Sequence, residues 1–247
     1  MAGPKQSRRE RLRAETAAEI KTIALAHMVE GGAAALSLRA IAREMGMTAG
    51  AIYSYFDTRD DLITALIVDV YTSLADRLEA AHAGMRDGDP ADGIVAHGLA
   101  YRDWAIANRE KFQLVYGAPL PEYHQPENGP AAAAGHRVCR MLADLIGAAA
   151  PAGHEEAGGP YDWSDFDPRL VESLGESHLG LTPDLLALTV RTWGRMHGLV
   201  TLEVYGHLRD LSRDPAMLFR SEMLDLVRSL GLAGTTGGPD RAVPVTA

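Results

Sequence analysis

The chain has 247 residues, 47% of them apolar, with one cysteine and a net charge of −9. That length suits one large domain or a small and a medium one. Leu and Ala dominate the apolar residues and no alternating Val/Ile/Thr stretch occurs, which excludes a β-rich architecture and predicts an all-α protein of about nine helices.

Cys139 alone cannot form an intrachain disulfide, so a reducing compartment is expected. No apolar run follows the basic N-terminus, and the stretch LITALIV at 62–68 is cut by Asp69, so neither a signal peptide nor a membrane span is expected and the cytoplasm is the expected location. The charge is unevenly distributed. Residues 1–62 hold nine Lys/Arg and eight Asp/Glu, whereas the remainder holds fifteen and twenty-five. A basic reading head on an acidic body would give this asymmetry; a basic tail without a role is the plainer alternative.

In chain order, residues 1–13 carry five bases and Glu10 and are expected as a disordered basic arm. A helix is expected from 14 to 31, with Ile20, Ile23, Ala24, His27 and Met28 on one face and Gly31-Gly32 ending it. Leu38, Ile41, Ala42 and Met45 form an i, i+3, i+4, i+7 stripe on a second helix. Gly46 suits a left-handed exit, and Thr48 suits the cap of a third helix with Ile52 and Phe56 inward. The outer face of that helix is Thr48, Ala49, Gly50, Tyr53 and Tyr55. Two short helices braced across a glycine turn, with a small, polar and aromatic outer face, have the form of a helix-turn-helix recognition element.

Thr58 and Asp61 form a capping box that starts a long helix to about residue 83, with Leu62, Ile63, Leu66, Ile67 and Val70 on its apolar side. After a break at 88–90, helices are expected over 91–108 and, capped by Asn108, over the segment containing Phe112, Leu114, Val115 and Tyr116. Four prolines exclude regular helix over 117–130. Residues 131–149 read as helix with Val138, Met141, Leu142, Leu145 and Ile146 inward. Residues 150–181 give no clear pattern beyond an aromatic and acidic patch (Tyr161, Trp163, Phe166) and a short helix at 168–175. A stretch of that kind is usually functional or mobile. Pro183 opens a helix expected to run to about 208, Arg213 to Leu230 forms the last, and 231–247 is expected as a disordered tail.

The run SLRAIAREMGMTAGAIYSYFDTRDDL at 37–62 resembles the DNA-binding domain of the TetR family of transcriptional regulators. Ser37-Leu38 opens the support helix, Ile41-Ala42 lies in its middle, Gly46 makes the turn, and Ile52-Tyr53 and Tyr55-Phe56 follow. The resemblance implies a helix-turn-helix domain at 14–57 and a helical effector-binding and dimerisation domain at 58–230. It also implies a homodimer on a near-palindromic operator, a repressor by family default (with activation as the alternative), and release on binding a small apolar or amphipathic effector.

The residues support parts of this directly. The Thr48 hydroxyl and nearby helix amides suit a phosphate. Ala49 and Gly50 let the backbone approach base edges, and an alanine methyl can touch a thymine methyl. Tyr53 and Tyr55 suit phosphate contact and sugar packing, or ordinary half-buried packing. Arg59, Ser37 and Arg39 are placed for the DNA backbone, Arg59 where the family commonly has lysine. Arg8, Arg9, Arg11 and Arg13 suit a minor groove or phosphates, or plain solvation. No Arg, Asn or Gln occupies 48–55, so specificity is expected to rest partly on apolar contacts, DNA shape and the arm.

Further along, WGRMHGLVTLEVYGHL at 193–208 and REKFQLVYG at 109–117 resemble a Trp-His-Gly subgroup of the family. This implies an effector pocket built from Trp104, Phe112, Tyr116, Met141, Trp193, Met196 and His197; the alternative for His197 is a satisfied core histidine. Leu199, Leu202, Val204, Met217, Leu224, Leu226 and Val227 are candidates for the dimer face. The helix from Thr58 is the expected lever between effector and DNA. Against an enzyme, the chain lacks HExxH, GxSxG, P-loop and GxGxxG patterns, and His154-Glu155-Glu156 has no second histidine at +4. No metal or cofactor is expected. A helical scaffold with an idle helix-turn-helix is the remaining rival.

Overall fold

A computed structural model describes residues 7–31, 35–83, 89–120, 122–126, 129–149, 160–175 and 181–232. Among them lie ten α-helices: α1 (Arg8–Gly31), α2 (Leu38–Glu44), α3 (Ala49–Tyr53), α4 (Arg59–Ala83), α5 (Pro90–Ala107), α6 (Arg109–Tyr116), α7 (Pro130–Ala149), α8 (Pro168–Gly175), α9 (Pro183–Val204) and α10 (Pro215–Ser229). A 3-10 turn, Trp163–Asp165, precedes α8. The all-α expectation holds, with one helix more than the approximate count.

The chain divides into two compact units, Met1–Asp76 with Ala107–Val138, and Arg77–Ile106 with Cys139–Ala247, the boundaries falling inside α4 and α7 and at the last residue of α5. In the first unit, the buried side chains come from the positions the periodicity selects: Ile20 and Ala24 on α1, Leu38, Ile41 and Ala42 on α2, Ile52 on α3, and Leu62, Ile63, Leu66, Ile67 and Val70 on α4. Phe112 of α6 is buried in the same unit and stacks obliquely on Tyr116, which meets Tyr71 edge-on at 6.2 Å.

Three expectations are corrected here. The arm is not wholly irregular, because α1 begins at Arg8 rather than near 14. Ser7 and Glu10 form a reciprocal capping box: the Ser7 amide donates to Glu10 Oε2 at 2.7 Å and the Glu10 amide to Ser7 Oγ at 3.2 Å. Arginine is a good helix former, so the capped segment RRERLR continues straight into α1. Phe56 is only half-buried, because α3 stops at Tyr53 and Phe56 lies beyond it. Asn108 holds the N-cap position of α6 but makes no side-chain capping bond. Residues 1–6 of the expected arm lie outside the described residues.

In the second unit, Leu78, Ile94, Tyr101, Trp104, Leu142, Ile146, Leu186, Met196, Val200, Phe219 and Met223 are buried. Fully burying a side chain of this size contributes about 1.5–3 kcal/mol. Gly98 lets α5 pack closely: a Cβ there would lie 2.5 Å from Met223 Sδ and 3.3 Å from Met196 Sδ. Helix α9 ends at Val204, not near 208. Gly206, at φ +81, turns the chain out, with His207 N–H bonding the Leu202 carbonyl at 2.8 Å and Gly206 N–H that of Glu203 at 3.1 Å. Leu208 beyond it is buried again, which prolongs the apolar pattern past the helix end. Helix α10 starts at Pro215 rather than Arg213, because Asp214 caps it by accepting from Met217 N–H at 2.9 Å. Tyr161 and Trp163 of the aromatic patch are exposed and helix α8 forms as expected, while 150–159, 176–180 and the tail 233–247 lie outside the described residues.

Two histidines sit together in this unit. His82 Nε2 and His97 Nδ1 are 3.1 Å apart and the rings stack at 5.2 Å. Burial pushes His97 down to about 3, helped by His82 beside it, and burial also lowers His82 against the pull of Glu79. Both rings are therefore held neutral, one donating to the other. Above the unfolded value near 6.5, neither state of His97 binds a proton and its contribution to stability is constant. Below it, only the unfolded chain takes one up, so stability falls toward pH 3 by as much as about 1.4 kcal/mol per pH unit. Urea titrations from pH 7 to about 4.5 are expected to show a shallower acid loss for His97→Gln, by about 1 kcal/mol per unit. Equal slopes would contradict this account of the pair.

Candidate nucleic-acid interface

The head is assembled from caps. Ser37 opens α2 by accepting from Ala40 N–H at 3.4 Å. Gly46, at φ +66, closes it, with Met47 N–H bonding the Ala42 carbonyl at 2.8 Å and Gly46 N–H that of Arg43 at 3.2 Å. Thr48 then caps α3 by accepting from Ala51 N–H at 3.2 Å. Helix α3 is five residues long and would not persist alone. Buried Ile52 pins its inner side, and α3 packs against α2.

On the outer side, Thr48, Ala49 and Gly50 are exposed and Tyr53 keeps 40% of its surface free. Ser37 and Arg39 are exposed and Tyr55 is half-buried. Half-buried Arg59 pairs with Asp60 at 3.5 Å across the first turn of α4. The expected box there is present, Thr58 N–H donating to Asp61 Oδ2 at 2.9 Å and Asp61 N–H to Thr58 Oγ1 at 3.1 Å.

Helix α1 ties the head together at three levels, none of which the sequence reading singled out. His27 Nε2 lies 2.7 Å from Glu44 Oε2 on α2, and Lys21 pairs with Asp69 on α4. Arg13 donates from Nη2 to the Ser54 carbonyl at the end of α3, and its guanidinium lies over the Tyr55 ring, 4.8 Å from the centroid. Ser7, Arg8, Arg9, Arg13 and Tyr55 line a shared concave surface. Arg8, Arg9 and Arg11 are exposed on the first turns of α1.

The residues expected around an effector fall into two groups. Phe112 and Tyr116 belong to the first unit, whereas Trp104, Met141, Trp193, Met196 and His197 belong to the second. Trp104 and Met196 are buried and Met141 is half-buried. His197 is half-buried with its Nδ1 2.7 Å from the Tyr101 hydroxyl, and burial lowers its pKa. Trp193 stacks on it at 4.9 Å yet remains 39% exposed.

The dimer candidates also divide. Leu202 and Met217 are exposed and Leu199 and Leu224 are half-buried. Val204, Leu226 and Val227 are buried within the protomer, so they leave little surface for a partner. Helical periodicity selects apolar positions but cannot say which of two apolar faces the protomer itself covers.

A capped, solvent-facing short helix braced across a glycine turn defines a helix-turn-helix DNA-binding regulator. The family description "Bacterial regulatory proteins, tetR family" matches residues 22–66, and "Tetracyclin repressor-like, C-terminal domain" matches 94–226. The HTH-type transcriptional regulator Rv1816 of Mycobacterium tuberculosis is 34% identical over 226 residues, covering 88% of this chain and 93% of that protein. Its Mycobacterium bovis counterpart, Mb1846, matches equally. Among solved structures, regulatory protein SCO4313 superposes with a TM-score of 0.69 at 32% identity, covering 90% of this chain and all of that one. A tetR-family regulatory protein from Rhodococcus RHA1 shares the fold, with a TM-score of 0.59 at 18% identity over 88% of this chain and 98% of that one. The chain belongs to the TetR family of transcriptional regulators, a family of DNA-binding proteins rather than enzymes.

Proposed function

We propose that the protein acts in the cytoplasm as a homodimeric repressor that binds a near-palindromic operator and leaves it when a small apolar or amphipathic molecule binds. The observation that carries this is the exposed face of α3: Thr48, Ala49, Gly50 and Tyr53 are presented by a helix whose caps and buried Ile52 fix it. Ser37, Arg39, Tyr55 and Arg59, with Arg8, Arg9 and Arg11 on α1, would meet phosphates on either side. The functional division at 57/58 belongs to this reading.

Exposed Leu202 and Met217 would serve the dimer, together with a ridge on α9. Val190, Gly194, Gly198 and Leu202 follow each other at i+4 on α9, and a Cβ at either glycine would meet nothing within 4 Å. A glycine inside a helix costs about 1 kcal/mol relative to alanine. Two of them that meet no other described element of the protomer favour close approach by a second α9.

A ligand can release DNA only by preferring one arrangement of the two heads. Helix α4, capped at Thr58 and continuous to Ala83, is the proposed lever. Effector affinity should therefore be weaker for operator-bound than for free protein; equal affinities would remove the switch. The DNA reading is tested by titrating the protein's own upstream DNA at fixed salt. Tyr53→Ala is expected to weaken binding by about 1–3 kcal/mol. Undiminished binding by this variant would show that α3 does not read the groove.

A further inference from the structure

Helix α3 has a structural problem that its own sequence does not solve. A one-turn helix leaves most of its carbonyls without an internal partner, and the negative end of its dipole is at Ser54. Ser54 holds the C-cap in a right-handed conformation, its N–H and hydroxyl both turned to the Ala51 carbonyl. Arg13 supplies the missing partner. It comes from α1, forty-one residues earlier, donates Nη2 to the Ser54 carbonyl and lays its guanidinium over Tyr55. The Tyr55 and Phe56 amides, which bond the Ile52 carbonyl at 2.9 and 3.2 Å, form the segment directly beneath this clamp.

The clamp stands where it does because α1 begins early. The Ser7–Glu10 box starts the helix at Arg8 and so puts Arg13 on a rigid turn, not on a loose arm. Glu10 is held below the usual carboxylate range by the Ser7 amide and hydroxyl, which keeps it ionised as the cap. Arg8, Arg9 and Arg11, on the same turns, have no comparable hold on α3.

We infer that Arg13 is a positioning residue for the recognition helix: it fixes the exit of α3 and the plane of Tyr55 instead of neutralising a phosphate. This rests on the DNA-binding reading above but makes a prediction in the absence of DNA. A guanidinium that lies over a ring and donates to a carbonyl at once is poorly reproduced by the compact ammonium of lysine, whereas a point-charge contact with phosphate is reproduced well.

The test compares Arg13→Lys, Arg13→Met and Arg8→Ala in the full chain. In free protein, hydrogen exchange at the Tyr55 and Phe56 amides is expected to speed up several-fold in both Arg13 variants and not in Arg8→Ala. With operator DNA, Arg13→Lys is expected to bind roughly tenfold more weakly while the slope of log K against log salt stays that of the parent, whereas Arg8→Ala loses about one unit of slope. Exchange rates unchanged by Arg13→Lys, or full affinity restored by the lysine, would overturn the inference. A parent protein that ignores DNA while the exchange result holds would instead remove the DNA reading and leave the clamp in place.

Discussion

Glutamate at Gly198 is expected to leave the protomer folded, split the proposed homodimer and lower operator affinity at least a hundredfold. Apart from the adjacent residues and the backbone of α9 itself, no heavy atom of the described residues lies within 4 Å of a Cβ at that position, so the new side chain points into open space. Replacing a mid-helix glycine also favours α9 by several tenths of a kcal/mol. A second chain packed against the ridge would register the change. Dimeric binding to two half-sites gains about 10²–10⁴ over one head through effective concentration, and that gain disappears with the dimer. Sedimentation should show monomers with an unchanged helical circular dichroism signal, and Leu202→Glu should behave alike. Val227→Ala is the contrasting variant: that side chain is buried in the protomer, so it should lower stability while the protein remains dimeric. A Gly198→Glu protein that stays dimeric at low micromolar concentration would put the partner on another surface.

The largest effect on stability is expected at Glu203. Arg102 of α5 meets it with a two-pronged bond, Nε to Oε2 at 2.7 Å and Nη2 to Oε1, and the two side chains retain only 14% and 13% of their surface. Removing one member of such a pair leaves the other charge desolvated, at a cost of about 3–5 kcal/mol. The exposed Asp103 carboxylate, 3.7 Å from Arg102, offsets some of this, so Glu203→Ala is expected near the lower limit, about 3 kcal/mol. That is a large share of the 5–15 kcal/mol typical of a folded domain. Exchanging both partners for apolar residues, Arg102→Met with Glu203→Leu, should recover most of the loss, since the desolvation penalty goes with the charges. If the single variant unfolds at the denaturant concentration of the parent, the pair is wetter than its burial indicates.

How far these features could be read beforehand depended on whether they are local. Gly46, Thr48 and the Thr58–Asp61 box announce themselves, because a left-handed exit or a cap is specified within three or four residues. The apolar stripe of α2 was equally plain. Ser7-x-x-Glu10 carried the same kind of signal, but the arginines around it suggested a solvated arm, and charge says little about helicity when the charged residue is a good helix former. Gly206 was a readable stop, masked by Leu208, which is buried past the helix end. The Arg13–Ser54 bond and the Arg102–Glu203 pair join distant segments, and no spacing rule reaches across such separations. Nor could periodicity tell Leu202 from Val204 as outside and inside, since both are apolar on one helix and only the packing of neighbouring helices separates them.

The central claim is that two copies of α3 are held at a fixed separation matched to a duplex, and selection from random duplex DNA at low ionic strength, followed by spacing variants of the winner, tests it most directly. The account predicts a near-palindrome bound by two protomers, its half-site centres about 10–10.5 base pairs or a multiple apart, with affinity lost on inserting about five base pairs. Enrichment of a single site without dyad symmetry, or indifference to the inserted half-turn, would contradict it.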